Sequence, residues 1–129
     1  MTGAIVRTPV ARARADRSLL LAKAAAQTAE DNRGQDVVVL DLREQTPIFD
    51  YFVIATGSSQ RQLRAMADAT DDVMQKEHDQ LRLSRDGYES SAWVCLDYGP
   101  VVVHYFDAKA REFYRLDELW AGAPRVEWK

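Results

Sequence analysis

The sequence predicts a single layered domain of the α/β (α+β) class, a mixed β-sheet flanked by helices. Three observations carry that expectation. The stretches "SLLLAKAAAQTAEDN" (18–32) and "SSQRQLRAMADATDDVMQKEHDQL" (58–81) have helical composition; "QDVVVLDL" (35–42) and "DYFVIAT" (50–56) are short runs rich in β-branched residues; "AWVCLDYGPVVVHYF" (92–106) is two apolar runs around a turn. A chain of 129 residues, 47% of them hydrophobic, has material for one core and not for two.

The first helix is expected from Ser18, a capping residue, to about Asn32, just before the helix-stopping Gly34. Val37, Val38, Val39 and Leu40 follow without alternation, which predicts a strand covered on both faces and placed centrally in a sheet. Thr46-Pro47 marks a loop, and the second strand ends at Gly57. In the next helix Leu63, Met66, Thr70, Val73, Met74 and Leu81 form one stripe, with Asp68, Asp71, Asp72 and Gln75 mostly opposite. Ser59, followed three residues on by Gln62, has the spacing of a capping box.

Beyond this helix, "RLSRDGYESS" (82–91) reads as a loop. Strands at about 92–97 and 101–106 are turned by "DYGP", and Pro100, without a backbone donor, belongs at the start of the second strand or on an edge. "AKAREFYRLDELW" (108–120) suggests a short helix and a last turn, and "AGAPRVEWK" a tail. The expected order is α-β-β-α-β-β-α.

Charge narrows the function. Lys and Arg number 17 against 20 Asp and Glu, a net charge of −3 that lacks the basic excess needed to hold a phosphate backbone non-specifically. If the protein works near nucleic acid, it is expected to grip a basic protein there. Cys95 is the only cysteine, which excludes an intramolecular disulfide and a multi-cysteine metal frame and fits a reducing compartment, so a cytoplasmic location is expected. No apolar run approaches the roughly 18 residues of a membrane span. Arg7, Arg12, Arg14 and Arg17 lie among Ala, Val and Thr with no acid before Asp16. That pattern fits a flexible basic arm over residues 1–17 or an organelle transit peptide.

Motifs for catalysis are weak. "ATGSSQR" puts Gly57, Ser58 and Ser59 where a strand turns into a helix, a place where backbone amides can hold an anion, but it matches neither established phosphate-loop pattern. A nucleotidyltransferase-like, nucleotide-binding enzyme is the alternative reading, and it requires paired carboxylates for magnesium. The nearby strands offer only Asp97. His78 and His104 have no ligand-spaced Cys or His, and no nucleophile–base pair follows from spacing. No catalytic residue, metal or cofactor is therefore expected.

Strand alternation in the ribbon sets Trp93, Cys95 and Asp97 against Ala92, Val94 and Leu96, and Val102, His104 and Phe106 against Val101, Val103 and Tyr105. Trp93 reads equally as a core residue or as part of an interface hot spot, which uses rigid aromatic area beside a carboxylate.

Taken together and in this order, "DVVVLDL", "DYFVIATGSSQRQ", "WVCLDYGPVVVHYF" and "REFYRLDELW" resemble the ribosomal silencing factor family, the Iojap-like proteins, over about residues 18–121. The resemblance implies a nucleotidyltransferase-like topology without that catalysis. It also implies a factor that binds the large ribosomal subunit at its fourteenth protein, on the intersubunit face, and sterically blocks the small subunit, repressing translation. The family's strand-pair motif falls on Trp93, Asp97, Tyr98, Gly99, Val102, His104 and Phe106, and its following motif on Arg111, Glu112, Phe113 and Tyr114. Trp93 and Tyr98 are then expected as aromatic anchors and Asp97 as an acceptor for a basic partner side chain, while Arg111 and Glu112 either join the contact or orient the last helix. Pro100 stands where the family usually has an Asp. A homodimer through the same ribbon and an accessory contact of the basic arm with ribosomal RNA complete the expected partners. The domain is expected over 18–121, between the arm (1–17) and a tail (122–129).

Overall fold

The structure, a computed structural model, describes residues 8–129. Its element order is α1 (Pro9–Asp31), β1 (Gln35–Asp41), β2 (Tyr51–Gly57), α2 (Gln60–His78), β3 (Ser84–Asp86), β4 (Trp93–Asp97), β5 (Val101–Asp107), α3 (Ala108–Tyr114) and α4 (Leu116–Leu119). The five strands form one mixed sheet in the order β1-β2-β5-β4-β3. Only β2 and β5 pair in parallel; the other neighbours are antiparallel. The α+β class and the mixed sheet are as the sequence predicts.

Helix α1 begins nine residues earlier than Ser18. Thr8 Oγ1 accepts the Ala11 amide, Pro9 occupies the first turn, where its missing donor costs nothing, and the following Ala and Arg residues are good helix formers. The added turns are tied down. The Arg14 guanidinium forks onto the buried Asp50 carboxylate at 3.0 and 3.3 Å, and Arg17 donates to the His78 carbonyl at 2.7 Å. Over Pro9–Arg17 the expected arm is therefore a docked helix. The remainder of the arm or transit-peptide reading, residues 1–7, lies outside the described residues.

The expectation that β1 is central is also corrected: it is an edge strand. Missing alternation reports cover on both faces, not lateral position. Val39 packs toward α1 and α2, Val38 and Leu40 toward the opposite face. The outer edge is closed by the C-terminal segment, where the Asp41 amide donates to Pro124 O at 2.8 Å and the Val126 amide to Val39 O at 2.8 Å. Residues 124–126 are thus part of the sheet's edge rather than a tail, which also satisfies backbone groups that a bare edge would leave open.

The loop expected over 82–91 contains β3, three residues that pair with β4 and so escape a reading by apolar pattern. Helix α2 ends at Asp79 in the left-handed conformation, so Leu81 leaves the predicted stripe and is exposed, while Leu63, Met66, Ala67, Thr70 and Met74 are buried. The expected capping box is half formed. Ser59 Oγ accepts the Gln62 amide at 3.1 Å, but the Gln62 side chain turns to Ser58 and to the carbonyls of Asn32 and Arg33, joining the two helix ends.

Helices α1 and α2 cover one face of the sheet, with small residues Ala22, Ala25, Ala26 and Ala29 letting α1 lie close on it. Each fully buried Leu, Val or Ile on this face contributes about 1.5–3 kcal/mol. Two buried polar groups there meet: Thr70 Oγ1 and Tyr105 Oη share a hydrogen bond of 2.7 Å. The other face carries Phe52, Ile54, Val102 and Phe106 and, among the described residues, is covered by the short helices α3 and α4 and by the segments around Phe49 and Ala123. That unequal cover positions the candidate site.

Candidate functional site

On the lightly covered face, the β4–β5 register brings Trp93 opposite Phe106, Cys95 opposite His104 and Asp97 opposite Val102. Cross-strand partners share a face, so the residues grouped by alternation in the sequence do meet. Asp107 ends β5 by capping α3, its Oδ1 accepting the Ala110 amide at 2.8 Å, and the tight junction drops Phe113 and Tyr114 beside β4. The Trp93 ring lies 4.8 Å from Phe106 in a stacked arrangement and 4.8 Å from Tyr114; Phe113 meets Tyr114 edge-on at 5.0 Å.

The aromatic series continues inward. His104 stands 4.6 Å from Phe52, which in turn contacts Phe49 at 5.3 Å and Trp120 at 5.9 Å. Phe49, Phe52 and Trp120 went unrecognised in the sequence as neighbours of the ribbon. Phe49 and Phe52 were absorbed into a strand and its loop, and nothing in the spacing brings Trp120 back onto β2. The outer end of the series is open to solvent: Phe113 is 79% exposed and Tyr114 48%; at the other end Ile48, next to Phe49, is exposed. An exposed aromatic pair continuous with a buried aromatic cluster is the arrangement expected of a rigid docking patch.

The predicted site residues take three different places. Trp93 is half-buried, and Glu112, Phe113 and Tyr114 are exposed on α3. His104 and Phe106 are buried beneath them. Tyr98 lies on the other face, 1% exposed, where its hydroxyl donates to Asp71 Oδ1 and burial pushes its pKa upward. The expectation that Tyr98 anchors a partner is therefore corrected for the free chain: strand alternation sends it under α2, and Asp71 holds it there.

Asp97 and Gly99 build the turn. Asp97 Oδ1 accepts the Gly99 amide at 2.8 Å, and Gly99 has φ +91°, a conformation that a residue with a Cβ enters only with strain. Pro100 sits before β5 and offers its carbonyl to the amides of Asp50 and Tyr51. Arg111 is a clamp. It donates to Asp36 O at 2.6 Å, Thr56 Oγ1 at 2.9 Å and Asp117 Oδ2 at 2.9 Å, fixing α3 against the strand ends and α4.

His104 is 6% exposed, and burial lowers its pKa to about 4, so the imidazole is neutral at physiological pH. Its Nδ1 accepts the Trp93 Nε1–H at 3.1 Å. Cys95, half-buried beside it, has its pKa raised to about 11 by burial and by Asp86 and Asp97, which keeps the thiol protonated.

At the strand-to-helix turn, Gly57 allows close approach: a Cβ there would stand 2.6 Å from Leu63 Cδ2. The Ser58 amide and hydroxyl and the Gln62 amide, the groups an anion would use, are engaged by Gln62 and Ser59 side chains. Among the described residues, no three His, Cys, Asp or Glu side chains gather as a metal site, and no helix is long and apolar enough to cross a membrane.

Residues 15–129 match the family model described as "Ribosomal silencing factor during starvation". The ribosomal silencing factor RsfS of Halalkalibacterium halodurans is 36% identical over 107 residues, 83% of this chain and 91% of that protein. The chloroplastic protein Iojap of Arabidopsis thaliana is 29% identical over 95% of this chain and 51% of its own length. A crystal structure of a Chromobacterium violaceum protein superimposes with a TM-score of 0.76 at 34% identity, covering 85% of this chain and 90% of the other. The aromatic ribbon, the turn at Gly99 and helix α3 lie inside the matched residues 15–129, and the chain belongs to the ribosomal silencing factor family, the Iojap-like proteins.

Proposed function

We propose that this protein represses translation by binding the large ribosomal subunit at its fourteenth protein, on the intersubunit face, and excluding the small subunit by sterics. The observation that carries the reading is the open aromatic patch of Trp93, Phe113 and Tyr114, held rigid by Phe106 and the Arg111 clamp. Exposed Glu112 and Asp86 and half-buried Asp97 lie on the surrounding elements beside exposed Lys109 and Arg115, so the patch suits an apolar partner surface with a charged rim that offers Asp97 a basic group. An ordinary specific interface takes roughly 800 Å² from each partner. That is a small fraction of this chain's 7515 Å² of accessible surface.

No chemistry is needed. A bound factor occupies surface that the small subunit must use, and the degree of repression follows the factor's concentration relative to its dissociation constant. The protein acts in the cytoplasm, without a cofactor and without catalysis. A second copy on the same patch would compete with the subunit and lower the free concentration.

The test is sedimentation of the purified chain with separated large and small subunits, before and after recombination. Comigration with the large subunit and a reduced yield of joined particles are expected. A folded chain that stays at the top of the gradient would sink the proposal. Asp97→Asn keeps the turn acceptor and removes the charge, so a loss of subunit affinity there isolates the contact with a basic side chain.

A further inference from the structure

His104 poses a packing question. It sits among the rings of Phe52, Trp93 and Phe106 in an otherwise apolar cluster. Its Nδ1 accepts from Trp93, so the neutral ring carries its proton on Nε2, and that buried nitrogen has no hydrogen-bond partner among the described residues. An unmet buried N–H is a net cost to folding. A phenylalanine would fill the same space without it. Among the described residues, the polar service this imidazole performs is to hold the indole of Trp93.

Turned outward, the Trp93 indole would not need that service. It is half-exposed at the rim, where an indole N–H is ordinarily satisfied by water. What the bond supplies is orientation. An indole can flip about two side-chain torsions, and in each alternative the six-membered ring and the N–H exchange places on the surface. The hydrogen bond to His104 selects one, the arrangement with the ring plane stacked on Phe106 and its free part against Tyr114.

We infer that His104 is a positioning residue for the docking patch, fixing the indole of Trp93 through its Nδ1 so that the patch is preformed before a partner arrives. The inference rests on the proposed binding to the large subunit and adds how that surface is prepared. Ordering one free aromatic side chain at the moment of binding weakens an interface by about 3- to 10-fold. That is the size of effect assigned to the residue.

Two variants separate positioning from packing. His104→Phe keeps a ring and removes the acceptor; it should melt at the same or a higher temperature yet bind the large subunit about 3- to 10-fold more weakly. His104→Asn keeps an acceptor near the Nδ1 position and loses volume; it should melt lower yet bind nearly as the parent does. A residue important only for packing gives the reverse order, and that result overturns the inference. NMR of the free chain gives a partner-independent readout: the indole N–H signal that disappears in Trp93→Phe should shift in His104→Phe and stay in place in His104→Asn. If the parent chain fails to bind the large subunit, the functional reading fails; an unmoved indole signal in His104→Phe, with or without binding, removes the positioning role itself.

Discussion

Successive residues of β5 point to opposite faces, and the two sets have different surroundings. Val101, Val103 and Tyr105 lie under α1 and α2 with aliphatic neighbours, and the Tyr105 hydroxyl is paired with Thr70. Val102, His104 and Phe106 lie under aromatic rings and two short helices, with the His104 Nε2 unpaired among the described residues. The first face is closed by 23- and 19-residue helices; the second is closed at one end by helices of 7 and 4 residues. The difference teaches where each kind of substitution should be felt: stability on the helix-covered face, recognition on the open one.

The largest effect is expected on the covered face. Leu96→Ala, at a fully buried position, should lower unfolding free energy by about 2–5 kcal/mol through lost contacts and a cavity, measured by urea denaturation. Affinity of the molecules that remain folded should be unchanged. Impaired subunit binding at concentrations where the variant is fully folded would break the comparison.

On the open face, His104 makes stability depend on pH. Its folded pKa of about 4 lies below the usual 6.5, so between these values the unfolded chain binds a proton that the folded chain refuses. Stability therefore falls as pH drops from about 6.5 to about 4, with roughly 3 kcal/mol from this group over the window. Melting curves of His104→Phe should lack that component; identical pH slopes in parent and variant would contradict it.

Tyr98 tests the border between the faces. Tyr98→Phe removes the hydrogen bond to the Asp71 carboxylate and should cost about 1.5–3 kcal/mol of stability with no change in subunit affinity. Weaker binding at unchanged stability would restore Tyr98 as a direct contact. The smallest stability effect belongs to the residue with the largest proposed role: Phe113→Ala, at an exposed site, should change unfolding free energy by no more than about 0.5 kcal/mol. Its loss of binding, about 2 kcal/mol if it is a hot spot, would be read in a titration with large subunits.

Much of this division was legible in the sequence because strand alternation is a local rule. The grouping of Trp93, Cys95 and Asp97 with Val102, His104 and Phe106 needed only the turn at Gly99 to set the register. The central placing of β1 failed because a run of valines reports cover above and below and is silent about the strand's neighbours; its closing partner, residues 124–126, is more than eighty positions away. The helical turns before Ser18 were missed because an Arg-rich start looks solvated until Asp50 and the end of α2 are brought to it. Tyr98 was misplaced for a similar reason: its partner Asp71 was read only as part of a polar helix face. The role of Arg111 as a clamp needed three distant acceptors that no spacing rule connects.

The central claim, that the open face is the one that meets the ribosome, is tested most directly by hydroxyl-radical footprinting of the chain free and bound to large subunits. Aromatic side chains report well, and α1 supplies exposed controls in Val10 and Leu20. Protection of Trp93, Phe113 and Tyr114, with Val10 and Leu20 still reactive, is the predicted result. Protection of the α1 residues with Phe113 and Tyr114 unprotected would contradict the account.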